Sequence, residues 1–137
     1  MMFREIVTLI CAQTGFTLGV DLYAGHRPQD APDRCVLIAE SGGATHPAEA
    51  DMTDPLIQAL ARADTYFEAR ADSWTVYNAI HSTFGWNLPN LSGSGEDYLA
   101  MSVYALAIPQ YLGQDENGRY EFSTNYIFLM EQASCGL

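Results

Sequence analysis

The sequence contains no lysine and few charged residues of any kind. Its six basic residues are all arginine and face 17 acidic residues, which gives a formal net charge of −11. Proteins that wrap nucleic acid, or lie on anionic membranes, use Lys and Arg to contact phosphate. This shortage of bases therefore argues against both classes. Charged residues make up 17% of the chain, against about 25% in an average soluble domain, a hint that copies or a partner cover part of the surface.

Cysteine and long apolar runs are also scarce. Cys11, Cys35 and Cys135 are odd in number and form no C-x-x-C pair, so we expect reduced thiols in a cytoplasmic protein, without a disulfide framework or a Cys-based zinc site. The apolar stretch from Ile6 to Ala12 is shorter than the about 20 residues of a membrane span. It also lacks a preceding basic segment, so we expect no signal peptide.

Apolar residues are plentiful enough for a folded core, at 48% of 137 residues. This fraction excludes intrinsic disorder despite the acidity, and the length predicts one domain over residues 1–137. No constraint is visible in residues 132–137, which we expect to form a tail that is flexible or contacts a partner.

The first half of the chain predicts a helix followed by three strands. The spacing of Phe3, Ile6, Val7, Ile10 and Cys11 predicts an amphipathic helix that ends at Gly15. Alternating apolar residues then predict a strand over Phe16–Tyr23, and continuous apolar residues predict a second strand over Arg34–Glu40. A long loop over Ser41–Asp54 separates these from Leu56–Arg62, which is interpreted as a strand rather than a helix.

The best-defined element is a second helix. Thr65 and Glu68 form a capping box, and the helix is expected to run to about Ser82, with its apolar face at Tyr66, Ala69, Ser73, Val76, Tyr77 and Ile80. The acids Asp64, Glu68 and Asp72 lie on another face, where they are either solvated or paired with an arginine from elsewhere.

The last third of the chain predicts a long antiparallel hairpin. A connector over Phe84–Gly95 leads to a strand over residues 98–112, and a second strand covers residues 120–130. The pair Asn117-Gly118 between them is typical of a tight turn. The predicted fold is therefore α+β, with a mostly antiparallel sheet of about five strands and two main helices packed on it.

Candidate chemistry is sparse. No phosphate loop and no nucleophile elbow is present. His46, Glu49, Asp51 and Asp54 are near one another, but their order does not match a calcium loop, and Asp115–Gly118 is better explained as a hairpin turn. A nucleophile pair of Cys35 with His26 or His81 is conceivable, yet thiols inside apolar strands are usually inert. We therefore expect no catalytic residue, metal or cofactor.

Tyrosine is the informative aromatic. Tyr111 and Tyr120 flank the predicted turn, where a small sheet cannot bury every ring. Tyrosine is favoured at interfaces because it combines contact area with a polar end. Packing of these rings on their own sheet is the alternative.

The second half of the chain resembles the phage proteins known as minor capsid or tail terminator proteins. The likeness runs over residues 60–89 and 107–128. It rests on the helix start Glu68-Ala69-Arg70, the series Trp74…Tyr77…His81, the P-x-x-L-G-x-D-x-x-G-R turn over Pro109–Arg119, and the strand Phe122–Phe128. Residues 1–55 match only in the order of their elements.

The resemblance implies a structural protein of the virion, assembled in the host cytoplasm, with no catalytic residue to transfer. Such proteins form a ring, usually a hexamer, that caps the tail tube and joins it to the head connector. The implied partners are further copies, the tail tube protein and a head-completion or connector protein, with DNA as passing cargo repelled by acids. The candidate interface residues are Arg62, Arg70, Tyr111, Asp115, Glu116, Arg119 and Tyr120, in part because arginine pairs well with carboxylates.

Two other functions fit the sequence less well. One is another neck component or a tail tube subunit. The other, from a different class, is a small enzyme or ligand-binding domain that would use His26, His46 and the acids of the 41–54 loop.

Overall fold

The fold was analysed in a computed structural model, which describes residues 2–45, 52–93 and 95–132. Two helices and seven strands follow one another along these residues. In chain order they are α1 (Phe3–Thr14), β1 (Leu22–Ala24), β2 (Cys35–Thr45), β3 (Met52–Ala63), α2 (Tyr66–Ile80), β4 (Thr83–Leu88), β5 (Tyr98–Ala105), β6 (Gln110–Gln114) and β7 (Tyr120–Gln132).

All seven strands belong to one mixed sheet. The order is β1-β2-β3-β7-β5-β4, and β6 pairs with the first part of β7. Every pairing is antiparallel except the one between β1 and β2, which is parallel. The α+β class with two helices is confirmed, whereas the expected count of about five strands is too low for two reasons: the predicted connector contributes β4, and the predicted strand over residues 98–112 is two strands, β5 and β6.

The core lies between the helices and one face of the two long central strands. Ile57, Ala59, Ala61 and Ala63 of β3 are almost fully buried and are paired with alternate residues of β7. Small alanine side chains leave room for the aromatic rings of β7 and for α2, whose Ser73 hydroxyl lies 3.3 Å from that of Thr124. Helix α1 adds Ile6, Val7 and Ile10 to the same core, as its spacing predicts.

The strand predicted over Phe16–Tyr23 is wrong for most of its length. Only Leu22–Ala24 is a strand, because the backbone N–H groups of Val20 and Asp21 both donate to the carbonyl of Thr17 and fold the segment into a turn. Gly19 takes a φ of +85° there, which favours glycine. Apolar and other residues do alternate over this segment, but Leu18 and Val20 are 55% and 61% exposed rather than buried.

The loop predicted over Ser41–Asp54 is largely strand. Strand β2 extends to Thr45 and β3 begins at Met52, so the two form a hairpin whose connection falls outside the described residues. The register shifts between Glu40 and Gly43. Gly43 has a φ of +142°, and a Cβ there would lie 2.3 Å from the carbonyl oxygen of Asp54. The glycines that suggested a loop therefore build a β-bulge within a strand pair.

Two corrections apply to the last third of the chain. The first part of the predicted connector over Phe84–Gly95 lies in the edge strand β4 (Thr83–Leu88). The predicted strand over residues 98–112 is interrupted at residues 106–109 to give β5 and β6. Helix α2 ends at Ile80, with His81 as its cap.

Of the predicted tail only residue 132 is described, as the end of β7, and Cys135 lies outside the described residues. None of the described helices is long and apolar enough to cross a membrane.

Candidate functional site

A cluster of aromatic rings joins the start of α2 to the C-terminal hairpin. It consists of Tyr66, Phe67, Tyr111, Tyr120 and Phe122, here called the aromatic edge. The Tyr66 ring lies at its centre, with centroid distances of 5.1 to 6.2 Å to the other four rings, all in edge-to-face geometry. Such pairs hold rings in fixed orientations. Phe122 is buried, yet Phe67 is 77% exposed and Tyr111 is 41% exposed, so a rigid aromatic surface faces solvent.

The hairpin turn beside the aromatic edge is stabilised by an ion pair and hydrogen bonds between its own residues. The Asp115 carboxylate accepts hydrogen bonds from the backbone N–H groups of Asn117 and Arg119, each at 2.9 Å, and from Nε of Arg119 at 2.8 Å. Desolvation acts to raise the pKa of Asp115, but these hydrogen bonds and the guanidinium charge outweigh it and lower the pKa below its ordinary value. Glu116 is exposed at the tip. Asp115 and Arg119 therefore fix the turn instead of projecting freely.

Arginines also tie the segment of residues 25–34 to the sheet. Arg62 is only 5% exposed and donates from Nε and Nη2 to the carbonyls of Asp33 and Pro32, at 3.1 and 2.8 Å. Arg119 reaches the Asp33 carboxylate at 3.2 Å, and Arg27 lies 3.9 Å from Glu121. Arg62 thus acts inside the subunit and is not presented on its surface.

The acids of α2 meet an arginine from another element. Arg34, just before β2, forms a fork with the Asp72 carboxylate through Nε at 2.9 Å and Nη2 at 3.0 Å, and its Nη1 reaches Glu68 at 3.1 Å. The hydrogen bond to Asp72 is the main cause of the raised pKa of Arg34. Of the two interpretations of this acidic face, pairing with an arginine is the one that the structure supports for Glu68 and Asp72.

Arg70 is the predicted interface arginine that stays available. It is exposed on α2, and its Cζ lies 5.3 Å from the ring centroid of Trp74. No carboxylate pairs with it among the residues that the structure describes. The sequence-predicted set therefore divides into exposed members (Arg70, Tyr111, Glu116), half-buried members of the cluster and turn (Tyr120, Asp115, Arg119), and one buried member (Arg62).

Further apolar side chains are exposed beyond the aromatic edge. Phe84 of β4 is 78% exposed, Leu106 and Ile108 between β5 and β6 are 55% and 60% exposed, and Leu112 of β6 is 53% exposed. Single exposed apolar residues are common, whereas several near one another mark interaction surfaces. Leu106 and Ile108 are neighbours in one loop, and Phe84 is a single exposed ring on β4. Sequence reasoning missed Phe67, Phe84 and this loop. The only available signal was that Phe67 falls outside the apolar stripe of α2.

The residues considered for chemistry do not come together. Cys35 is buried in β2, and the ring of His81 stacks on Tyr77 while its Nδ1 accepts a hydrogen bond from the Ala105 backbone at 2.9 Å. Within residues 2–45, 52–93 and 95–132, no three metal-ligating side chains are grouped. His46, Glu49 and Asp51 lie outside these ranges.

A sequence model described as bacteriophage tail terminator protein matches residues 9–132, which is most of the chain and includes every predicted interface residue. The chain belongs to the bacteriophage tail terminator family. A search of curated proteins finds no significant match. This tail terminator is therefore a structural component of a phage virion.

Proposed function

We propose that this tail terminator assembles into a ring of six copies, at the neck of the virion, which caps the tail tube and joins it to the head. The ring works by binding alone, with no catalytic step. Its partners are further copies, the tail tube protein and a head-completion or connector protein. Assembly takes place in the cytoplasm of the host bacterium. The resemblance to minor capsid and tail terminator proteins implies the same role.

The aromatic edge is the single observation that carries the proposal. Phe67 and Tyr111 are exposed, yet the ring of Tyr66 holds both in place at 5.3 and 5.2 Å. Aromatic residues that are already ordered lose little entropy on binding, and they dominate the energy of protein interfaces. A ring needs a head-to-tail contact between two different surfaces. We assign the aromatic edge to one of them, with Arg70 and Glu116 as its polar neighbours.

The charge distribution supports a passage for DNA. Arg27, Arg34 and Arg119 are held in ion pairs within the subunit, and Arg62 is buried, so little positive charge remains for phosphate. Asp30, Glu40, Asp64 and Glu116 are exposed acids. A ring of such subunits would repel the DNA backbone, and the DNA could pass without adhering.

Native mass spectrometry and negative-stain electron microscopy test the proposal on the purified protein, alone and mixed with tail tube protein. We expect ring-shaped particles of six subunits. Phe67→Ser should raise the subunit concentration at half-assembly by about 30-fold or more, the effect of losing a contact worth about 2 kcal/mol.

Phe84→Ser is the matched control, because Phe84 is the same residue type at almost the same exposure, 78% against 77%, outside the aromatic edge. It should assemble like the unchanged protein. A strict monomer in both conditions would overturn the ring, and assembly that depends on Phe84 but not on Phe67 would overturn the assignment of the aromatic edge.

A further inference from the structure

A small apolar pocket lies between α1 and the segment that follows β4. Its volume is about 230 Å³. Its lining residues are Glu5, Thr8, Leu9 and Ala12 of α1 together with Asn87, Leu88, Pro89 and Leu91. Apart from Glu5, Thr8 and Asn87, these side chains are all apolar. The pocket is remote in sequence from the aromatic edge and has no part in the contact proposed above.

The wall of this pocket contains an acid that is not fully satisfied. Glu5 is only 3% exposed. Its Oε2 accepts a hydrogen bond from the backbone N–H of Leu91 at 2.7 Å, whereas its buried Oε1 has no hydrogen-bond partner in the described structure. Buried carboxylates are costly unless they are paired or fully hydrogen-bonded. The hydrogen bond from Leu91 does not by itself explain a charged group at this position, since a neutral glutamine would accept the same bond at a lower desolvation cost.

We propose that the pocket receives a lysine or arginine side chain from another protein of the virion. This rests on the proposed function, because it requires a neighbour. The aliphatic stem of such a side chain would lie against Leu9, Leu88 and Leu91. Its cationic head would pair with Oε1 of Glu5 after a rotation of the carboxylate toward the pocket, since Oε1 is shielded from solvent in the unbound subunit. Basic side chains commonly combine these two kinds of contact, and a pocket of this volume holds one long side chain.

Charge favours a partner protein over a second copy as the source. This chain has no lysine and a net charge of −11, so it attracts basic partners. Four of its six arginines are engaged within the subunit: Arg27, Arg34, Arg62 and Arg119. A partner with ordinary lysine content offers many more candidates.

Thermal unfolding with n-pentylammonium chloride tests the chemistry of the pocket directly. At about ten times its Kd this probe should raise the Tm by about 4 °C, and the rise should saturate. Sodium chloride at equal ionic strength and 1-pentanol at equal concentration should give no such saturable rise. Glu5→Gln should weaken binding at least tenfold. Asp30→Asn, which removes an exposed acid from the segment before β2, should leave it unchanged.

A second variant covers the case in which Glu5→Gln does not fold. Ala12→Trp, from an exposed position on α1, should fill the pocket and abolish probe binding with Glu5 intact. In the phage itself, Glu5→Gln should lower the yield of tailed particles while the purified variant still assembles by native mass spectrometry.

Three results would overturn the inference. They are the absence of saturable probe binding, equal binding by Glu5→Gln, and full complementation by a folded Glu5→Gln variant. Loss of self-assembly by purified Glu5→Gln would show instead that the occupant is another copy and overturn the assignment to a partner protein. Since probe binding needs no ring, failure of the pocket and failure of the ring give different results.

Discussion

The two helices each bury one carboxylate, and the two acids are satisfied in different ways. Asp72 of α2 is 6% exposed and Glu5 of α1 is 3% exposed. Asp72 receives two arms of the Arg34 guanidinium at 2.9 and 3.0 Å, whereas Glu5 receives a single backbone N–H. Asp72 therefore stabilises the subunit through an ion pair, whereas Glu5 keeps one carboxylate oxygen without a hydrogen-bond partner in the described structure.

The difference arises from the elements that surround each acid. Arg34 stands just before β2 and reaches across to α2, so the Asp72 pair links two elements that are 38 residues apart. On the side of the pocket the surface around Glu5 is built from Leu9, Leu88 and Leu91, which supply no cation, and the exposed neighbour Arg4 forms no ion pair with Glu5 in the described structure. Burial without a cation inside the subunit is the condition under which a charge from outside can stabilise the complex.

Removal of the cation from the paired site should have the largest effect on stability. Arg34→Ala leaves Asp72 buried without its fork, which should lower the free energy of unfolding by about 2 kcal/mol, less than for a fully buried pair because Arg34 is half exposed. Urea denaturation followed by circular dichroism measures it. Arg70→Ala removes an exposed arginine of α2 that has no carboxylate partner among the described residues, and should cost about 0.5 kcal/mol or less. Equal stability of the two variants would contradict the role given to Arg34.

Neutralisation of the two acids should change stability in opposite directions. Glu5→Gln keeps a carbonyl acceptor for Leu91 and removes an incompletely satisfied charge, so the free energy of unfolding should rise by up to about 1 kcal/mol. Asp72→Asn weakens the pairing with Arg34 and should lower it by about 1 kcal/mol. The same urea experiment gives both values. If Glu5→Gln lowered the free energy of unfolding as much as Asp72→Asn does, the two acids would not differ in their effect on stability.

Local signals in the sequence predicted the helices and the final hairpin. The Thr65 side chain accepts a hydrogen bond from the backbone N–H of Glu68, as the capping box requires, and Gly15 ends α1 with a φ of +84°. The strand predicted over residues 120–130 lies within β7, whose buried residues include Tyr126 and Phe128. Each of these features depends on residues a few positions apart, which is the range that sequence patterns cover.

Long-range features were beyond sequence reasoning. Any arginine could have paired with any acid, so neither the Arg34 fork nor the burial of Arg62 against two carbonyls was predictable. The β2–β3 hairpin was missed because its bulge glycines look like loop glycines until the register is known. For the candidate site, the sequence pointed to Tyr111 and the hairpin but not to Phe67, since nothing local shows that its neighbour Tyr66 would face the hairpin.

The smallest expected effect concerns a third acid, Asp115, which is paired like Asp72 but lies at the surface. Its lowered pKa means that its contribution to stability is present above the unfolded value of about 3.9 and is lost as the pH falls through the lower folded value. The Tm difference between the unchanged protein and Asp115→Asn should therefore shrink between pH 5 and pH 2.5 in thermal unfolding. Glu116→Gln changes the next residue, which takes no part in the turn's hydrogen bonds. Its Tm difference from the unchanged protein should be smaller and should change less with pH. A difference for Asp115→Asn that stays constant with pH would mean that the surface pair adds no charge-dependent stability, and that pairing stabilises this subunit only where, as at Asp72, the carboxylate is also buried.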